Sequence, residues 1–185
     1  IDLLAGLEEE YPALAPYVLV KQGQAQAAAG QSTEAQQSWS QAVESYSDQP
    51  AIAEALFQLG KSDSQYWDQA LEKFPAHPRS LEIARQRLVQ PQSADTLTLL
   101  RQIAQYGLHL DDVEGYLDRL VAEYGSQLQP EDWQTVGFGY WEIQRYGKAG
   151  SAYAKAPASP RNAYRTARGL QLGEQKRRRS QPISS

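Results

Sequence analysis

The stretch Trp133-Gln-Thr-Val136-Gly137-Phe-Gly-Tyr140-Trp-Glu-Ile-Gln-Arg-Tyr146-Gly-Lys-Ala149-Gly-Ser-Ala-Tyr153-Ala-Lys-Ala156 decides the fold. Trp133, Val136, Gly137 and Tyr140 recur at helical spacing, and after a short break so do Tyr146, Ala149, Tyr153 and Ala156. Both faces mix very small with very large residues. That is a size code: Gly137 and Ala149 let two helix backbones approach, while the rings of Trp133, Tyr140 and Tyr153 fill the space beside the contact. The pattern predicts a helical hairpin.

The same positions match the tetratricopeptide pattern, with Trp, Leu, Gly and Tyr on the first helix and Ala, Phe and Ala on the second. A second copy reads Gly23, Ala35, Trp39 and Ala42 at identical internal spacings, with Gly30 closing its first helix. A third is degenerate. Trp67, Ala70 and Pro75 keep the second-helix positions, but the turn after Gly60 is shorter by about two residues. Residues 79–124 read as generic helical hairpins without the size code. The expected fold is all-α, a right-handed superhelix of antiparallel, tetratricopeptide-like helix hairpins in which each unit buries its apolar face by stacking on its neighbours.

Punctuation supports this reading. Gly30, Gly60, Gly107, Gly125 and Gly173 stand where helices should end, and Pro12, Pro50, Pro78, Pro130 and Pro160 where new ones should begin. Helices are expected near 13–29, 33–46, 51–60, 63–74, 79–89, 95–106, 111–124, 130–144, 147–156 and 160–172, with a short one at the start and no sheet. In 33–46, Ala35, Trp39, Ala42, Val43 and Tyr46 share one face, and Glu34, Gln37, Gln41 and Ser45 face away. Residues 47–50, 90–93 and 157–160 read as connectors, so that 1–173 form a single helical-repeat domain and 174–185 a frayed, polar and basic tail. Helix 160–172 looks like half of a hairpin whose partner is missing, as in a fragment of a longer chain.

Composition excludes several function classes. The 185 residues contain no cysteine, so disulfides, zinc knuckles and thiol catalysis drop out. Eighteen Lys and Arg against twenty-two Asp and Glu make a mildly acidic chain, unlike a broad nucleic-acid surface. No window approaches the roughly 18 apolar residues of a membrane span. The chain begins at Ile1 and contains no methionine, so a preceding segment is expected to have been removed, and a signal peptide or lipid anchor could have been lost with it.

His77 and His109 lie far apart in turn-like contexts and read as exposed loop residues. Glu8-Glu9-Glu10 reads as a charged helix end, and Asp111-Asp112 as a helix N-cap rather than a catalytic acid pair. No phosphate loop, nucleophile elbow or zinc spacing is present, and no cofactor is expected. Trp141, Tyr146, Arg161, Arg165 and Arg168 are candidates for a concave surface, where aromatic rings stack sugars or peptides and arginines hold carboxylates. The basic run Lys176–Arg179 is a weaker candidate for an anionic partner.

Beyond the generic repeat, the chain resembles the N-terminal helical region of soluble lytic murein transglycosylases, in their cyanobacterial form. The resemblance lies in Ala15-Pro-Tyr-Val-Leu-Val-Lys-Gln-Gly23, Pro130-Glu-Asp-Trp133 and Phe138-Gly-Tyr-Trp-Glu142. It continues through Tyr146-Gly-Lys-Ala-Gly150, Tyr153-Ala-Lys-Ala-Pro157, Pro160-Arg-Asn162 and Arg168-Gly-Leu-Gln-Leu-Gly173. In that family the helical region is a curved superhelical scaffold, and a separate lysozyme-like domain cleaves peptidoglycan through one glutamate. No residue here matches that catalytic motif. The resemblance therefore implies a non-catalytic scaffold of a periplasmic cell-wall enzyme, with peptidoglycan or the lysozyme-like domain as partner. A free-standing tetratricopeptide adaptor for a protein or peptide is the alternative.

Overall fold

A computed structural model describes residues 6–89 and 95–180. Among the described residues there is no strand. The helices are α1 (Leu7–Glu10), α2 (Ala15–Ala28), α3 (Ser32–Ser45), α4 (Ile52–Leu59), α5 (Ser64–Lys73), α6 (Pro78–Val89), α7 (Thr96–Tyr106), α8 (Val113–Tyr124), α9 (Pro130–Glu142), α10 (Tyr146–Tyr153) and α11 (Pro160–Ser180). Consecutive helices joined by short turns pack on one another, as the hairpin reading expects. The expected connector 90–93 lies outside the described residues, as do 181–185 of the expected tail.

Local chemistry accounts for the boundaries. Pro78, Pro130 and Pro160 open their helices, where a missing N–H is no loss. Asp63 accepts a hydrogen bond from the Gln65 N–H at 3.0 Å and caps α5. Gly30 ends α2 at φ +79°, with Gly30 N–H donating to Ala27 O and Gln31 N–H to Gln26 O at 3.1 and 2.9 Å. That paired arrangement satisfies carbonyls the helix end would otherwise leave bare. The equivalent repeat position after α9 is Gln144, which takes φ +60° and makes the same two bonds, with Arg145 N–H reaching Tyr140 O at 2.8 Å.

Where the sequence reads 1–173 as one body, residue contacts cluster the chain into two compact units, Ile1–Val89 and Gln90–Ser185. The first has its own core of Leu19, Trp39, Ile52, Leu56, Phe57 and Ile83, with small residues Ala35, Ala42, Ala55 and Ala70 between the large ones. On α3 Ala35, Trp39 and Ala42 are buried as expected, with Ser38 beside them, while Val43 and Tyr46 are half-buried against the same core and Glu34, Gln37, Gln41 and Ser45 are exposed. A β-carbon on Gly23 would overlap the Trp39 indole, and one on Gly60 the Trp67 indole. Both rings donate their N–H to the carbonyl three residues before the glycine: Trp39 to Val20 O at 3.4 Å, Trp67 to Phe57 O at 3.0 Å. Gly60 thus closes α4 and seats a ring at once, which is how the shortened repeat keeps its packing.

In the second unit Leu99, Leu100 and Ile103 of α7, Leu117 and Leu120 of α8, and Val136 and Tyr140 of α9 are buried together with Ala149 and Tyr153 of α10. A β-carbon on Gly137 would sit 3.0 Å from the Tyr153 ring. Two expectations fail here. α10 stops at Tyr153, so Ala156 lies in a bend beyond it, because the residue before a proline, here Pro157, is pushed out of helical geometry. Gly173 does not end a helix: α11 runs on to Ser180, and residues 174–180 are helical rather than frayed.

Candidate functional site

The second unit is organised by a close contact between α10 and α11, the most extensive helix–helix contact in the chain. A β-carbon on Gly150 would lie 2.7 Å from Leu170 N, one on Gly169 2.8 Å from Gly150 N, and one on Gly173 2.6 Å from Gly147 Cα. Gly150, Gly169 and Gly173 therefore let backbone touch backbone where a side chain would clash, and Gly147 supplies the surface that Gly173 lies against. This explains why Gly173 is carried inside a helix. The segment after it, Glu-Gln-Lys-Arg-Arg-Arg, consists of good helix formers, and its cations suit the negative end of the helix dipole.

The start of α11 is anchored by Asn162, 6% exposed, which donates from Nδ2 to Pro157 O at 2.8 Å and to Gln134 Oε1 at 3.0 Å. Ser159 Oγ accepts from the Asn162 N–H at 3.1 Å, a side-chain cap. Beside this anchor, α7, α9 and α11 enclose a cleft of about 280 Å³, lined by Gln105, Gln134, Thr135, Phe138, Arg161 and Arg165 among others. Arg165 is half-buried: its guanidinium lies 5.2, 5.5 and 5.8 Å from the ring centres of Tyr153, Trp141 and Phe138, and donates to the Tyr153 hydroxyl. Trp141 meets Tyr146 edge-on, with centroids 5.3 Å apart.

A larger groove of about 1080 Å³ lies on the side formed by α8, α10 and the end of α11, with Trp133, Tyr140, Tyr146, Lys155 and Leu170 in its wall. Its polar edge is an ion-pair network. Arg145 Nε donates to Glu114 Oε2 at 2.7 Å, Lys148 Nζ to Glu114 Oε1 at 3.1 Å and to Asp118 Oδ1 at 2.7 Å, and Tyr140 OH to Asp118 Oδ1 at 2.7 Å. Hydrogen bonds from Arg145 and then Lys148 hold the Glu114 carboxyl down at about 2. Burial, and then its bond to Asp118, push the Tyr140 phenol above its usual range. Burial opposes the charge on Lys148, but the bonds to Asp118 and Glu114 outweigh it and raise its pKa. Lys155 sits 4.1 Å over the Trp133 ring.

Of the five residues expected on a concave surface, Trp141 lies against both Tyr146 and Arg165, Arg161 shares a cleft with Arg165, and Arg168 stands apart. Arg161 and Arg165 line the small cleft, Tyr146 lines the large groove, and Trp141 packs among the rings between them. Arg168 is exposed and donates to Gln171 of its own helix at 2.9 Å. Sequence reasoning missed the α10–α11 contact, whose signal was the Gly-x-x-Gly and Gly-x-x-x-Gly spacing. It also missed Asp132, which accepts from the Gln129 N–H at 2.8 Å and from both arms of Arg101 at 3.0 and 2.7 Å, clamping α7 to the start of α9.

His109 is exposed as expected, whereas His77 is half-buried, its Nδ1 accepting from the Arg79 N–H at 3.2 Å as the cap of α6. Burial lowers its pKa. Asp112 directly precedes α8, and the side chains of Glu8 and Glu9 lie outside the described residues. Among the described residues no group of three or more His, Asp or Glu could hold a metal ion, and no helix is long and apolar enough to cross a membrane. No family model matches the chain, and no curated protein is significantly similar to it.

Proposed function

We propose that the chain is a helical-repeat scaffold of a peptidoglycan lytic transglycosylase, which positions cell-wall glycan or a lysozyme-like catalytic domain in the periplasm. A right-handed superhelical stacking of the hairpins, and the absence of catalysis by this chain itself, belong to the same proposal. One observation carries it: several residues within the motifs of the family resemblance join helices to one another. Gly147, Gly150, Gly169 and Gly173 join α10 to α11, Asp132 clamps α9 to Arg101, and Asn162 ties the α10–α11 turn to α9. Motifs used this way maintain a rigid frame.

The test is incubation of the purified chain with cell-wall sacculi. No release of soluble glycan fragments is expected, and release would overturn the reading. The gene sequence beyond Ser185 gives a second check, since a following lysozyme-like helical domain with a catalytic glutamate, followed by serine as in the family, fits the proposal. A stop codon after a polar capping helix would favour the adaptor reading instead. The observation that keeps the adaptor in view is the polar cleft shared by α7, α9 and α11.

A further inference from the structure

The small cleft between α7, α9 and α11 is lined by two arginines and no acid. In the same unit Arg101, Arg119 and Arg145 each hold a carboxylate, at 2.7, 3.0 and 2.7 Å. Arg161 and Arg165 hold none among the described residues. On α11, which carries both arginines, the one acid is Glu174, nine residues beyond Arg165. A half-buried guanidinium without a carboxylate is costly unless other groups serve it. Here the rings of Phe138, Trp141 and Tyr153 hold Arg165 in one orientation, and Tyr153 takes one of its five donors. The rest of the fork is left for a ligand, already oriented.

We propose that this cleft binds the C-terminal carboxylate of a peptide. Arg161 and Arg165 take the carboxylate, which suits planar, forked donors. Gln105 offers a neutral donor, and Thr135 Oγ1 and Asn162 Oδ1 offer acceptors, for the adjoining amide, since the Thr135 hydroxyl hydrogen and both Asn162 amide hydrogens are already used within the protein. Phe138, 39% exposed, gives the last side chain an apolar face. At about 280 Å³ the cleft is below the range of about 300–1,000 Å³ of drug-sized pockets, and suits the terminal one or two residues. Neutral amides around two cations favour a peptide end over a phosphate, whose higher charge calls for more cations. The inference does not depend on the transglycosylase reading, because it concerns only residues of this chain.

The test is an NMR titration of the 185-residue chain with N-acetyl-Ala-Ala-Ala bearing a free carboxylate, and with its C-terminal amide. Saturable shifts are expected at the side-chain amides of Asn162 and Gln134, with the amide peptide weaker by about 10-fold or more, as for loss of a charge-assisted bond. Arg161→Ala, at an exposed position, should weaken binding by a similar factor and leave Tm unchanged. Arg165→Lys, which keeps the charge and loses the fork, should do the same. Equal binding of acid and amide, no saturation, indifference to Arg161→Ala, or displacement of the peptide by inorganic phosphate at lower concentration than acetate would each overturn the assignment.

Discussion

Gln144 holds a backbone conformation that its repeat counterpart assigns to Gly30. Left-handed geometry costs an L-residue about 1–2 kcal/mol, a cost glycine escapes. Gln144→Gly should therefore stabilise the α9–α10 hairpin by about 1 kcal/mol, read as a higher urea midpoint at unchanged slope. Gly115 presents the converse case. It sits in the first turn of α8, and a β-carbon there would meet nothing within 4 Å. Gly115→Ala should gain about 0.5–1 kcal/mol from lower chain entropy in the unfolded state, whereas the same change at Gly169 meets backbone atoms. Glycines equivalent in composition thus differ in sign of effect, and the neighbouring element decides which.

At the scale of elements, the α10–α11 contact is the most sensitive joint. Gly169→Val should force the helices apart and destabilise the second unit by about 1–3 kcal/mol, with loss of helical signal as α11 detaches. The α8–α10 joint depends instead on ion pairs. The Glu114 carboxyl lies at about 2 in the folded chain against 4.5 as its ordinary value. A depressed carboxyl contributes its full stabilisation above 4.5, and that contribution is lost as pH falls from there to about 2. Glu114→Gln should lower thermal stability at neutral pH and flatten its decline between those limits, as a pH series of melting curves would show. His77 works in the same direction nearer neutrality. Its lowered pKa keeps Nδ1 free to cap α6, and stability from this cap is present above 6.5 and falls away as pH drops below it.

Across the whole molecule, charge and packing divide at the same place. Residues 1–89 carry six Lys and Arg against twelve Asp and Glu, and residues 90–185 carry twelve against ten. Each unit buries its own apolar core, so a fragment spanning 1–89 should fold alone with a cooperative thermal transition, and failure to do so would show that its core is incomplete. Helix positions and hairpin pairing were legible in the sequence because their causes are local: apolar periodicity, prolines at helix starts, and Gly23, Trp39, Gly137 and Tyr153 at matching spacings. The sequence alone therefore determined an all-helical chain of packed hairpins. Only the tertiary structure decided whether a glycine ends a helix, as Gly30 does, or lies against another backbone, as Gly173 does, and which arginines find a carboxylate. Those outcomes depend on atoms brought together from distant positions, and no residue's own preference specifies what will lie beside it once the helices have packed.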